Sequence, residues 1–238
     1  MKVFIFIGSL RGENSSTLKS ARTLLNYLEQ NSDCDVVSYV YHAQNVNIQD
    51  CTGCCNCFLK GKCPLDDTDD MKSIKKEIID SDIFIIGSPV YFHHVSSTTK
   101  KIIDRLSYWG HLFKLTGKIG LSISTSSNNG NEYVDYYLEK LLIYLGAHPV
   151  NPLSLLVDLM SLDEIDYAVK EVGKEVIKHY KDLKDIAPPR MQENVFHTYR
   201  GLYSQLGNET YESKYWHKNE LIKFDTFKRF RNYILEKN

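Results

Sequence analysis

The sequence predicts an α/β fold, a doubly wound five-stranded parallel sheet that carries an aromatic-rich helical extension at its C-terminus. Three observations lead there. Short, continuous apolar runs rich in β-branched and aromatic residues recur along the chain, as at Val3–Ile7 and Ile83–Gly87, and such runs suit strands covered on both faces. Between them lie segments with apolar residues at helical spacing, as at Leu18, Ala21, Leu24, Leu25 and Leu28. The two kinds alternate as repeated βαβ units, which require parallel strands with helices on both faces of the sheet.

Taken in order, Val3–Ile7 is the first strand, Gly8–Thr17 a polar loop, and Leu18 onward the first helix. A second strand is expected over Asp35–Val40. Asp66, Asp67, Asp69 and Asp70 precede a helix whose inner face is Met71, Ile74, Ile78 and Ile79; acids in a first turn suit the helix dipole and read as caps. Ile83–Gly87 is the third strand, Pro89–Ser97 a loop, and a helix then runs to about Tyr108 with Ile102, Ile103 and Leu106 inward. Lys118–Ser124 is the fourth strand, Thr125–Gly130 a small polar loop, and Asn131–Leu145 a helix. A fifth strand lies within Val150–Val157. Ser161 and Glu164 form a capping box for a helix reaching about Tyr180. Pro188-Pro189 breaks the pattern, which divides the chain into a domain over 1–186 and an extension over 187–238. The extension holds ten of the chain's 28 aromatic residues, a density that favours order. Two helices are expected in it, Gln192–Leu206 with the stripe Val195, Tyr199, Leu202, Leu206, and Asn219–Lys237 with Leu221, Phe224, Phe227, Ile234. This extension would pack on the domain surface or cover a site or subunit interface.

The chain has 238 residues and a formal net charge of −1. So balanced a charge gives no basic field for nucleic acid, and the Lys228–Arg231 run reads as a solvated helix face. No apolar run approaches the roughly 18 residues of a membrane span, and the N-terminal run is too short for a signal sequence. The expected location is cytoplasmic.

The chemistry is expected outside the carboxyl ends of the strands, where a doubly wound sheet, here of the flavodoxin-like kind, receives its ligands at the switch point. The first loop, Gly8-Ser9-Leu10-Arg11-Gly12-Glu13-Asn14-Ser15-Ser16-Thr17, runs into a helix N-terminus and so forms an anion site. It lacks the Gly-Lys-Ser/Thr ending of a nucleoside triphosphate loop and the G-x-G-x-x-G of a dinucleotide fold. Val40-Tyr41-His42 stand where a ribose-binding acid would follow the second strand. What remains fits a single phosphate monoester, such as that of a flavin mononucleotide; the alternative is an ordinary turn with capping serines.

Two stretches carry a family likeness. Ser88-Pro89-Val90-Tyr91-Phe92 ends a buried strand, and Lys100, Asp104 and Arg105 follow on the next helix. With Gly8-Ser9-x-Arg11, Ser16 and Thr17, these residues resemble the NADPH-dependent FMN reductase branch of the flavodoxin-like superfamily, over Met1 to about Ala147. The resemblance implies that the FMN phosphate rests on Ser9, Arg11, Asn14, Ser15, Ser16 and Thr17. It places the flavin ring along Pro89, Val90, Tyr91, Phe92 and His93, with Thr125, Ser126 and Ser127 on the other side and Gly130 allowing close approach. His93-His94 depart from the small residues usual in the family. The resemblance further implies NAD(P)H as co-substrate and a homodimer or homotetramer. The extension has no counterpart in it.

Five of the six cysteines fall between Cys51 and Cys63, which points to metal, cluster or redox chemistry. Cys51-x2-Cys54-x2-Cys57-x5-Cys63 resembles the motif of iron–sulfur flavoproteins in the same superfamily. Four such thiolates can wrap a [4Fe–4S] cluster or hold zinc, or they stay free and redox-active; Cys55 is an extra thiol. The leading expectation is therefore an FMN oxidoreductase that takes electrons from NAD(P)H to a small-molecule acceptor, with no single catalytic side chain. The alternatives are a cluster-bearing electron carrier and a non-enzymatic redox-responsive binding module.

Overall fold

The structure is a computed structural model describing residues 1–207 and 210–237. Its centre is one sheet of order β2-β1-β3-β5-β6, with β1 over Lys2–Ile7, β2 Val37–His42, β3 Ile83–Tyr91, β5 Ile119–Ser126 and β6 His148–Pro149. All neighbours on this path are parallel. Alternation along β1 explains how both faces are filled. Phe4 and Phe6 join one core with Phe84, Ile86 and Leu138, while Val3, Ile5 and Ile7 join the other with Leu18, Leu24 and Leu121. Helices α3 (Met71–Asp80), α4 (Ser97–Leu106) and α5 (Asn131–Leu145) cover the first face. Helices α1 (Ser16–Asn31) and α6 (Leu162–Asp182) cover the second. The short α2 (Asn56–Lys60) lies in the cysteine loop.

Several expected boundaries move. The second strand begins at Val37 rather than Asp35 and ends at His42, because its register is set from Lys2↔Val37 to Ile7↔His42. The third strand does not stop at Gly87. It continues through Ser88 and Pro89 to Tyr91 and turns back on β4 (His94–Val95), pairing Val90↔Val95 and Tyr91↔His94. The expected loop is thus a hairpin, with Phe92 (φ 49°) and His93 (φ 60°) at its tip, the sign of backbone twist that a two-residue hairpin turn needs. The fifth strand comes in two pieces, β6 and β7 (Leu153–Leu156), both paired to β5; Pro152, without an N–H, lies in the break. On α3, Met71, Ile74 and Ile78 are buried as expected but Ile79 is exposed.

Among its described residues the extension holds three α-helices rather than two: α7 (Arg190–Gln205), α8 (Tyr211–Lys218) and α9 (Phe227–Lys237). Thr210 starts α8 by accepting from the Ser213 amide at 3.1 Å. The Glu193 carboxylate caps α9, taking the amides of Phe227 (2.7 Å) and Lys228 (3.0 Å), so no single helix runs from Asn219. On α7 the buried positions are Gln192, Phe196 and Tyr203, while Leu202 is exposed. Phe196, Tyr203, Trp216, Leu221, Phe227 and Phe230 close a third core around Phe113 of the sheet domain, and Trp216 Nε1 donates to the His111 carbonyl at 2.7 Å. No helix among the described residues is long and apolar enough to cross a membrane.

Candidate functional site

The loop after β1 is built to expose donors. Ser15 is the N-cap of α1 and accepts from the Leu18 amide at 3.2 Å, which leaves the first-turn amides of Ser16 and Thr17 without an intrahelical acceptor. Ser9 Oγ accepts from the Arg11 amide at 3.3 Å. The loop is held from below. Gly8 N donates to the Gly87 carbonyl at 2.8 Å, and Gly8 O accepts from the hydroxyls of Ser96 and Thr98. A Cβ at Gly8 would lie 1.8 Å from Thr99 Oγ1, so only glycine lets α4 seat here.

Across from it, Thr17 and Thr125 join hydroxyls at 2.6 Å, tying the loop after β1 to that after β5. Asn131 Nδ2 donates to Ser124 O (3.2 Å), Ser124 Oγ (3.0 Å) and Leu155 O (3.2 Å), which fixes the start of α5. Gly130 has φ +87°, and a Cβ there would press on Val90 and His93 at 3.1 and 3.2 Å.

These three segments enclose one open cleft of about 150 Å³. Ser9, Arg11, Ser15, Ser16 and Thr17 form one wall, Pro89, Val90 and Tyr91 a second, and Thr125, Ser126 and Ser127 a third. Eleven of the fifteen residues expected at a flavin site are thereby brought together. Asn14 stands exposed outside the wall. Phe92 projects fully into solvent from the hairpin tip, His93 turns onto the Tyr133 ring at 5.2 Å, and Gly130 sits behind Val90. Val157 completes the lining and was not foreseen; its position just past the fifth strand was the only signal. Ser126 Oγ is buried with no partner among the described residues. An orphaned hydroxyl in a cleft rimmed by free helix-start amides and one arginine is the donor set that a phosphate ester accepts.

The cysteine loop lies apart from that cleft. Cys51, Cys54 and Cys55 are exposed, and Cys57 and Cys63 half-buried. Burial pushes the Cys57 thiol up, with Cys63 and Cys51 near enough to add to it, while hydrogen bonds from Asn56 lower Cys54. Among the described residues no three His, Cys, Asp or Glu side chains stand close enough to hold a metal ion. The four-thiol set Cys51, Cys54, Cys57, Cys63 is thus not assembled as a cluster cage.

Both stems of this loop meet one side chain. Arg105, fully buried on α4, donates to the Gln49 carbonyl (3.0 Å), to Asp66 Oδ1 (2.8 Å) and to both oxygens of Asp69. Lys75 also grips Asp66, at 2.7 Å. Asp69 further accepts from the amides of Gln49 and Met71. Of the four acids expected as caps, Asp66 and Asp69 therefore belong to a buried ion network, while Asp67 pairs with Lys72 in solvent. The N-cap residue of α3, Asp70, makes no side-chain cap bond and instead accepts from Asn47 N at 2.6 Å.

A second cleft, about 370 Å³, opens between α4, α5 and α7, with Ser107, His111, Tyr137, Tyr144 and Tyr199 in its wall. Glu212 of α8 holds His111 Nδ1 at 2.7 Å. The extension thus shapes this cleft as well as its own core.

A family model described as NADPH-dependent FMN reductase matches residues 1–160. An iron–sulfur flavoprotein of Archaeoglobus fulgidus is 37% identical over 153 residues, covering 63% of this chain and 66% of that protein. An FMN-dependent NADH:quinone oxidoreductase of Stenotrophomonas maltophilia is 30% identical over 94 residues, 34% of this chain and 48% of that one. The chain therefore spans just under two-thirds of the first relative's length and about half of the second's. Among solved structures, an apo NADH:FMN oxidoreductase superposes with TM-score 0.53 at 21% identity, over 80% of this chain and 92% of that one; this is a likeness of fold.

Proposed function

The chain belongs to the NADPH-dependent FMN reductase family of flavoprotein oxidoreductases, and from that premise we propose that it holds FMN in the three-walled cleft and passes electrons from NADH or NADPH to a small-molecule acceptor. The observation that supports this most is the convergence of the loops after β1, β3 and β5 on one space. When bound, FMN supplies hydride acceptance at its ring and electron release to an acceptor. The chain's own residues position it. The hydroxyls of Ser9, Ser15, Ser16 and Thr17, the first amides of α1 and the Arg11 guanidinium hold the phosphate by charge-assisted bonds. Backbone groups along Pro89–Tyr91 face the ring from the hairpin, and Thr125–Ser127 close the opposite side, where Ser126 Oγ awaits an acceptor. None of these groups transfers a proton in this reading, so its work is orientation and exclusion of water.

The test is an FMN titration of Arg11→Ala/Ser16→Ala. Loss of two charge-assisted bonds of about 1.5–3 kcal/mol each should weaken binding by two orders of magnitude or more. Unchanged affinity would refute the placement. Anaerobic bleaching of the bound flavin by NADH or NADPH tests the donor.

A second reading rests on the cysteine spacing together with the mutual influence of Cys57, Cys63 and Cys51: the loop gathers around an iron–sulfur cluster and the protein exchanges single electrons. About four irons per chain after anaerobic purification would support it. An iron-free, yellow protein that keeps its flavin would leave the first reading standing alone.

A further inference from the structure

The second cleft is built jointly by the sheet domain and the extension. Its floor is apolar, with Ile103 of α4 and Leu145 of α5 buried and Leu141 half-buried beside them. Tyr137 and Tyr144 lie seven positions apart on one face of α5, and Tyr199 of α7 adds a third phenol to the wall. The extension fixes this wall at three points. Gln192 anchors α7 on the carbonyls of Ile143 (3.1 Å) and Ala147 (2.8 Å), which sets Tyr199 two helical turns further along. Trp216 Nε1 donates to the His111 carbonyl at 2.7 Å. Glu212 holds the ring of that same histidine, which lies 5.3 Å from the Tyr199 ring. The match to the reductase family ends at residue 160, so Tyr199 and all three anchors lie outside what this chain shares with it.

Space and charge narrow the ligand together. A closed apolar cavity of about 150 Å³ accommodates benzene, and this cleft, at about 370 Å³, has room for two fused rings. Three phenols and an imidazole around an apolar floor suit a planar aromatic, which they can meet by edge or by face. Among the charged groups of the wall, Asp104 is held by Lys100 one turn away, and His111 is held by Glu212. Lys140 is different. Its ammonium rests 5.8 Å from the centre of the Tyr144 ring and joins no ion pair among the described residues. An anionic ligand would answer that charge, whereas a cationic one would find the Asp104 carboxylate already engaged.

We propose that the second cleft binds a planar two-ring aromatic carboxylate, its rings on the Ile103 and Leu145 floor among the tyrosines and its carboxylate on the Lys140 ammonium. Such a ligand touches α4, α5 and α7 at once. Its binding therefore ties the extension to the sheet domain and stabilises that docking by mass action. The site uses none of the residues of the first cleft, so it stands whether or not that cleft holds FMN.

The experiment is calorimetric titration of the full chain with 2-naphthoate, with and without saturating FMN, and with 2-naphthamide as the neutral isostere. One naphthoate should bind per chain with the same affinity in both series, and the amide about tenfold more weakly for want of one charge-assisted contact. Lys140→Met, at an exposed position, should bring acid and amide to equal affinity. Ser107→Trp, at an exposed position in the wall, fills the cleft and should abolish binding of either compound. The proposal is overturned if no saturable binding is seen, if the unaltered chain binds acid and amide equally, or if Ser107→Trp binds as before. Competition between naphthoate and FMN would put the naphthoate in the first cleft and overturn it as well. So would a dimer that Ser107→Trp dissociates and that takes up no naphthoate, since the cleft would then belong to a second copy of the chain.

Discussion

Replacing Arg105 by methionine should be among the most damaging single changes in the sheet domain. The guanidinium is wholly buried and contacts Asp69, itself buried, along with Asp66 and the Gln49 carbonyl. Breaking a buried pair by deleting one partner costs about 3–5 kcal/mol, because the remaining charge is stranded. Two features pull the figure toward the lower end. Asp66 keeps Lys75 at 2.7 Å, and Asp69 keeps the amides of Gln49 (2.9 Å) and Met71 (3.0 Å). About 3 kcal/mol is the expected loss, a large part of the ~5–15 kcal/mol that holds a domain folded. Urea unfolding followed by fluorescence would read it as a fall of about 1 M in the midpoint, taking a slope near the upper end of the usual range. The pair is isolated by a cycle with Asp69→Asn. Once the carboxylate is gone, removing the arginine should cost clearly less, since contacting partners do not add. Burial alone would raise the Asp69 carboxyl, yet the Arg105 guanidinium and the two amides hold it below its usual range. Stability from this site is thus present above the unfolded carboxyl pKa and fades as pH falls through the lowered folded one. A loss below 1 kcal/mol, or strict additivity in the cycle, would refute the reasoning.

Three other outcomes follow from the same geometry. His148 is lowered from 6.5 to about 4 by burial, Arg231 and His179, so the unfolded chain takes up its proton first as the medium acidifies. Stability should therefore fall by about 3 kcal/mol between pH 6.5 and 4, and His148→Gln should flatten that slope in denaturant titrations across the window. At the hairpin tip, Phe92 has φ 49° and is fully exposed, so Phe92→Gly relieves left-handed strain without losing buried surface; calorimetry should show a gain of about 1 kcal/mol, and a loss would mean that the ring packs. Gly61, at φ +72° with Tyr211 only 2.1 Å from where a Cβ would stand, should not tolerate valine. Gly61→Val should loosen α8 from the cysteine loop, seen as faster amide exchange over Tyr211–Lys218, and unchanged exchange would contradict the packing.

The sheet was legible because its signals are local. Runs such as Val3–Ile7 and Ile83–Gly87 announce buried strands, and the spacing of Leu18, Ala21 and Leu25 announces the helix covering them. The start of the first helix was legible for the same reason, since Ser15 caps α1 within its own turn. What stayed hidden depends on distant partners. Asp66 and Asp69 look like caps until Arg105, on another helix, is folded against them. The hairpin escaped because Phe92-His93 carries no glycine or asparagine to mark left-handed backbone. The third helix of the extension escaped because α8 is only eight residues long, and its stability comes from Trp216 in a core that no periodicity reveals.

The grip of Arg105 on both Gln49 and Asp66 has a thermodynamic corollary for the segment strung between them. Closing a flexible loop of that size costs about 2–3 kcal/mol of chain entropy, and here the ion network supplies it in advance. In small zinc-dependent modules the metal itself must gather the chain, so stripping it means unfolding. Here arginine and aspartate, not a metal, hold the two stems together, so oxidising, alkylating or metallating the thiols between them should leave the scaffold folded.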